Sequence, residues 1–198
     1  LGRTTSKEQY AFLYDTGRIE LDEQSVYTVS DPEDLLHREP LVAGFRVRGP
    51  PPERAFAFRL VNIHTDPDET DQELDALDDV FTAVKQLDGE DDVILLGDLN
   101  VDEYHLGELG QLPGIAWVVS GVTTNTRGTK SYDNLVYHRE STAEYTGRWG
   151  VMDLASEFGL TRDEALDVSD HLPVWAEFRV LEAGPAGPVA ARPATAPR

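Results

Sequence analysis

The stretch Val93-Ile94-Leu95-Leu96-Gly97-Asp98-Leu99-Asn100 decides how the chain folds. Four consecutive apolar residues, two of them β-branched, are what a strand buried on both faces needs. The run stops at Gly97 and then presents Asp98 and Asn100. Positions i and i+2 of extended backbone point to one side, so a carboxylate and an amide are expected together at the strand's carboxyl end. Such a pair at the rim of a buried strand suits a hard, oxygen-loving cation or a phosphate. Gly-Asp-x-Asn is also an ordinary turn after a strand, so function must be sought in the rest of the chain.

Upstream, Thr70-x-x-Glu73 reads as a capping box. The helix it opens lines up Leu74, Leu77, Phe81 and Val84, while Asp71, Asp75, Asp78 and Asp79 read as a solvated face without a ligand role. A helix feeding a buried strand is an α/β signal. Residues 40–47 and 55–64 flank a Gly-Pro-Pro-Pro break and predict a hairpin. Glu8 to Tyr14 and Arg18 to Leu21, joined by Asp15-Thr16-Gly17, predict another, with a loop over 30–38. Downstream, strands are predicted at 115–119, 132–137 and 144–146, and a helix within 152–158. Thr161-x-x-Glu164 is a second capping box, Ser169-Asp170-His171 lies in a loop, and 173–180 closes the order as a strand. From Ala183 onward Ala, Pro and Gly dominate, which predicts one domain over 1–182 and a flexible tail over 183–198.

The chain is 40% hydrophobic and holds no apolar run of membrane-spanning length, so it reads as soluble. Cysteine is absent, which excludes disulfides and thiolate metal sites. The formal charge of −20 argues against a nonspecific polyanion binder, which needs a cationic surface; an enzyme can still engage a polyanion through a local patch or a bound metal. Only Lys7, Lys85 and Lys130 among the 17 basic residues are lysines, so arginine dominates any such patch. The first residue is Leu1 and the one methionine is Met152, which points to a fragment, a removed leader or an unusual start. No signal peptide is visible, and the compartment is left unread.

Acidic or imidazole residues recur at strand boundaries: Glu8, His64, Asp98 with Asn100, Asp133, and Asp170-His171. Each alone has an ordinary explanation, such as a partly buried histidine or a turn before Pro173. Together they predict convergence on one rim of a sheet, where α/β proteins place their sites.

Glu8-Gln9-Tyr10, Arg38-Glu39-Pro40, His64, Gly97-Asp98-Leu99-Asn100, Tyr132-Asp133 and Ser169-Asp170-His171 occur in the order seen in the endonuclease/exonuclease/phosphatase superfamily. The chain resembles that superfamily from residue 6 to about 180. Lys7-Glu8-Gln9-Tyr10, Arg38-Glu39-Pro40 and His64 make it most similar to the deoxyribonuclease I branch. The resemblance implies an α/β fold, the deoxyribonuclease I-like four-layer sandwich with two packed β-sheets flanked by helices. It also implies a monomeric, metal-dependent phosphodiester hydrolase, a DNA endonuclease, using Mg²⁺ or Mn²⁺ with Ca²⁺ as a third candidate.

By position, the resemblance makes His171 the general base and Asp133 the residue that orients it. His64, held by Glu8, becomes the general acid or a phosphate-binding partner. Asp98 and Asn100 grip the phosphate and position the nucleophile, Asp170 and Asp98 hold the metal, and Arg38 neutralises a neighbouring phosphate. The chemistry asks for such a set on its own terms. Phosphodiester hydrolysis needs a base near neutral pH, which histidine supplies, and charge stabilisation on the phosphoryl oxygens, which a hard cation supplies. A carboxylate bonded to imidazole fixes the tautomer and raises basicity.

Two departures stand out. The family's early strands carry an Asn and a metal-binding Glu for which no residue before Glu8 can stand. The chain is therefore expected to be the C-terminal part of such a domain, and inactive as it stands. The family's Tyr-Asp-Arg is Tyr132-Asp133-Asn134 here, which alters a backbone or phosphate contact. Two competing readings remain. One is a phosphatase or lipid phosphodiesterase of the phosphoinositide or sphingomyelin type, mildly favoured by the acidic charge. The other is a member that keeps the fold only for binding.

Overall fold

A computed structural model describes residues 1–3, 7–87 and 89–183. Its main sheet comprises β1 (Ile19–Thr28), β2 (Leu41–Val47), β3 (Ala57–His64), β4 (Val93–Asp98), β5 (Ile115–Trp117) and β6 (Asp133–His138), in the order β1-β2-β3-β4-β6-β5. The Val93 run is β4, an interior strand parallel to β3 and antiparallel to β6. A parallel step needs a crossover, and α1 (Thr70–Lys85) supplies it.

Alternation along the strands sorts the core into two faces. Val93 and Leu95 join Val61, Ile63 and Val136 beneath Leu74, Leu77, Phe81 and Val84 of α1. Each of those helix side chains, buried, contributes roughly 1.5–3 kcal/mol. On the other face Ile94, Leu96, Leu60, Leu135 and Tyr137 meet a second sheet, β7 (Tyr145–Val151) paired with β8 (Val174–Phe178). Tyr145, Trp149, Val174, Ala176 and Phe178 provide its side of the contact. An apolar cavity of about 450 Å³, lined by residues such as Phe58, Leu96, Leu135 and Phe178, remains on that face. The helices α2 (Leu154–Phe158) and α3 (Arg162–Val168) connect β7 to β8 and complete a mixed α/β architecture with a large and a small sheet. Among the described residues no helix is long and apolar enough to cross a membrane.

Gly97 is a requirement of this packing. Its φ is +144°, and a Cβ there would lie 1.8 Å from the Ile63 carbonyl oxygen of the neighbouring strand. Only glycine lets β4 run this close to β3 before the chain turns out.

The expected hairpin over 40–64 is present as β2 and β3, and the Thr161–Glu164 capping box is formed at the start of α3. Three expectations are corrected. Glu8 to Tyr14 forms no strand, and β1 pairs with β2 instead. The alternating rings of that segment serve tertiary contacts: Phe12 and Tyr14 each pack edge-on against Phe45, with centroids 5.5 Å away. Thr70–Glu73 is not a capping box, because Glu69 occupies the N-cap without a side-chain bond. The Glu73 carboxylate turns inward, accepting from the backbone N–H groups of His37 and Asp66. The extended arrangement expected through Asn100 is also absent: φ is +54° there, and the strand ends at Asp98. The strand expected at 144–146 is longer, running through Val151. The tail expectation falls, beyond Ala183, outside the described residues.

Candidate active site at the carboxyl end of β4

Strand register alone assembles half of the site. His64 pairs with Asp98 across the β3–β4 ladder, and Asp98 pairs with Asp133 across β4–β6. These three residues therefore form one cross-strand row at the rim, where opposite side chains are neighbours. His171 arrives from the loop before β8. That loop is fixed by a bridge between His171 and Asn125, and by the Leu172 N–H donating to the Thr124 carbonyl at 2.7 Å.

Both imidazoles are held in the same way. His64 Nδ1 lies 2.7 Å from Glu8 Oε2, and His171 Nδ1 lies 2.8 Å from Asp133 Oδ2. A carboxylate at Nδ1 holds a proton there and leaves Nε2 as the atom that exchanges a proton with the site. Both Nε2 atoms point to one oxygen, Asp98 Oδ2, at 3.4 Å from His64 and 3.6 Å from His171. The imidazoles are about a third exposed, while the Asp98 and Asp133 side chains are less than a fifth exposed. Solvent and ligands thus reach the site from the imidazole side.

Each holding carboxylate has its own support. Glu8 Oε1 is 3.1 Å from an Arg38 terminal nitrogen, and the other terminal nitrogen donates to the His64 carbonyl at 2.9 Å. Arg38 is largely buried and braces the Glu8–His64 pair. The Tyr10 hydroxyl accepts from the His64 backbone N–H at 3.0 Å, and burial pushes its pKa up to about 12. On the opposite side the fully buried Thr124 hydroxyl donates to Asp133 Oδ2 at 2.6 Å and accepts from the Tyr132 and Asp133 N–H groups. Tyr132 stacks on the His171 ring at 5.8 Å.

Asp98 carries a raised pKa. Burial is the main cause and the Asp133 charge adds to it, while the Asn100 N–H and both imidazoles work against them. Burial by itself would depress the His171 imidazole; the Asp133 hydrogen bond and charge, helped by Asp98 and Asp170, overcome it and leave the pKa raised. Asn100 donates its backbone N–H to Asp98 Oδ1 at 2.9 Å and its amide to the Thr65 carbonyl at 2.8 Å. Among the described residues its side-chain oxygen takes no hydrogen bond and can meet a ligand.

Asp98, Asp133 and His171 bring ligand atoms within 4.8 Å of one another. Asp170 is exposed beside this group and is not part of it. The site thus gathers Glu8, His64, Asp98, Asn100, Asp133 and His171, with Arg38 behind Glu8. Sequence reasoning missed Thr124, which no motif marks, and gave Tyr10 no task. Asn134, expected to alter a contact, is a buried structural amide: its oxygen accepts from the Val118, Val119 and Leu135 N–H groups.

No protein-family model matches the chain. Curated relatives do. Deoxyribonuclease-1-like 1 from Chlorocebus aethiops is 37% identical over 193 residues and that from Homo sapiens 36%, each match covering 92% of this chain. The chain spans 62% of the length of either relative. Among solved structures, D. rerio TDP2 complexed with single-strand DNA product superposes with a TM-score of 0.55 at 17% identity, over 81% of this chain and 68% of that one. In sequence the chain is similar to the deoxyribonuclease-1-like proteins, and its fold is similar to that of TDP2.

Proposed function

We propose that this chain carries the catalytic rim of a divalent-metal-dependent phosphodiester hydrolase that cuts DNA internally and works as a monomer. The observation that supports this most is the pair of carboxylate-held imidazoles aimed at one Asp98 oxygen. Two such groups flanking one carboxylate suit in-line displacement at phosphorus, with one taking a proton from water and the other giving one to the leaving oxygen. His171 is assigned the first task, with Asp133 orienting it, and His64 the second, with Glu8 and Arg38 behind it. Asn100 contributes its free amide oxygen to positioning the nucleophile.

The donor set fits a hard cation. Asp98 and Asp133 offer carboxylate oxygens beside His171, with their ligand atoms within 4.8 Å of one another. Asp98 would hold the metal, with Asp170 at the exposed side, and such an ion supplies charge neutralisation on the phosphoryl oxygens. The homology to proteins named deoxyribonucleases favours DNA as substrate. The charge of −20 keeps a second reading in view, a phosphatase or lipid phosphodiesterase acting on a smaller phosphate ester.

The test is hydrolysis by the product of the complete reading frame, with Mg²⁺ or Mn²⁺, on a panel of supercoiled plasmid, single-stranded DNA, RNA, inositol phosphates and sphingomyelin. Chelator-sensitive nicking of plasmid is expected. Turnover confined to the small or lipid esters would replace the nuclease reading, and turnover unaffected by chelator would remove the metal.

A further inference from the structure

At the opposite end of β4 lies a second gathering of carboxylates that the proposed reaction does not use. Asp92 directly precedes the strand, six residues from Asp98 and so roughly 20 Å from it along extended backbone. Carboxylate oxygens of Asp92, Glu144 and Glu182 all lie within 4.8 Å of one another. Asp92 is 5% exposed and Glu144 1% exposed. Glu90 and Asp91 add further negative charge beside Asp92, and the Arg59 charge acts on Glu90.

An acidic cluster alone is unremarkable; three unsatisfied atoms set this one apart. Asp92 Oδ1, Glu144 Oε2 and the hydroxyl of Thr142, itself 1% exposed, are buried without a hydrogen-bond partner among the described residues. The Thr142 hydroxyl lies close enough to the Asp92 carboxylate to act on its ionisation. Two of the remaining carboxylate oxygens accept from backbone: the Ala57 N–H donates to Glu182 Oε1 at 2.8 Å, and the Ala183 N–H donates to Glu144 Oε1. Buried polar groups are normally satisfied, and an unpaired one in a native fold needs a missing partner to explain it. The unpaired atoms belong to two segments, Asp92 and Thr142–Glu144, and a cation between them would also meet Glu182.

We propose that Asp92, Glu144 and Glu182, with the Thr142 hydroxyl, form a structural Ca²⁺ site that ties the segment after β8 to the start of β4. All donors are oxygens, which excludes softer metals, and their irregular spread over three chain segments suits calcium better than the strict octahedron of magnesium. The clasp has a visible mechanical role. Leu181 bridges to Ala55, and the Glu182 N–H donates to the Arg54 carbonyl at 3.0 Å, so an ion there fastens the last described residues onto the main sheet.

The experiment is thermal unfolding of the full chain, stripped with EGTA and titrated with CaCl₂ or MgCl₂. A saturable rise in Tm is expected with Ca²⁺, roughly 5–10 °C at a hundredfold excess over Kd, and a smaller one with Mg²⁺. Asp98→Asn, at the other end of the strand, should keep that rise. Glu144→Gln should abolish it and, in EGTA, should be at least as stable as the unsubstituted chain, because it removes a repelling charge. Glu182→Gln, at a position nearer the end of the described chain, repeats the test if Glu144→Gln fails to fold. A Ca²⁺ response that is absent, or equal in the Glu144→Gln or Glu182→Gln variant, or lost in Asp98→Asn instead, overturns the proposal.

Discussion

The two ends of β4 hold carboxylates of similar burial in opposite company. At the carboxyl end Asp98 meets two imidazoles and the Asn100 N–H. At the amino end Asp92 meets Glu144 and Glu182, with one of its oxygens unpartnered. Both carboxylates sit above the ordinary pKa range, and burial leads in each case. What differs is whether the protein itself supplies mobile protons and positive charge to answer the buried anion. Where it does, the proposed reaction uses the anion; where none of the described residues does, the proposed Ca²⁺ answers it. On these two proposals a single interior strand presents chemistry at one end and anchorage at the other.

The sharpest way to break this contrast is to remove His171. His171→Ala in the product of the complete reading frame should lower kcat by roughly 10²–10⁴-fold, the usual weight of a general base, and leave the Ca²⁺-dependent Tm rise in place. Next in size, Asp133→Asn should cost about a hundredfold through lost orientation. It should also move the pH profile. A base must be neutral to accept a proton, and the His171 pKa is raised above its ordinary 6.5, so rate falls as pH drops through that raised value. Removing the Asp133 charge and hydrogen bond leaves burial dominant and lowers the pKa, so the acidic limb should shift to lower pH. A limb that stays put assigns it to another group. Smaller again, Thr124→Val strips the hydroxyl that holds Asp133 and should slow turnover about tenfold, the low end of the roughly 1.5–3 kcal/mol of a hydrogen bond to a charged group. Kinetics of that variant that match the unsubstituted enzyme would make Thr124 a packing residue only.

The sequence made the catalytic end legible and the other end illegible, for reasons that lie in spacing. Val93 to Leu96 announce a buried strand, and a ladder register then fixes His64 and Asp133 beside Asp98 without further information. The α1 face was readable because Leu74, Leu77, Phe81 and Val84 follow the helical period. Asp92, Glu144 and Glu182 share no motif and meet only through tertiary folding. Thr124 was hidden for a related reason, since a hydroxyl serving two backbone N–H groups leaves no pattern in neighbouring residues. Local patterns also misled. Thr70 and Glu73 have the spacing of a capping box, yet the buried N–H groups of His37 and Asp66 claim the Glu73 carboxylate. Gly147 and Gly150 hid the length of β7, although Gly147 takes a positive φ at a register shift and Gly150 makes room for the Trp175 ring.

The central claim is that His64 and His171 act on one phosphate across Asp98. A double-mutant cycle on plasmid hydrolysis tests it most directly, comparing His64→Ala, His171→Ala and the pair. Groups that act as a unit are strongly non-additive, so the double variant should be no slower than the worse single one within a few-fold. Losses that multiply in full, or single variants that keep their turnover, would contradict the account.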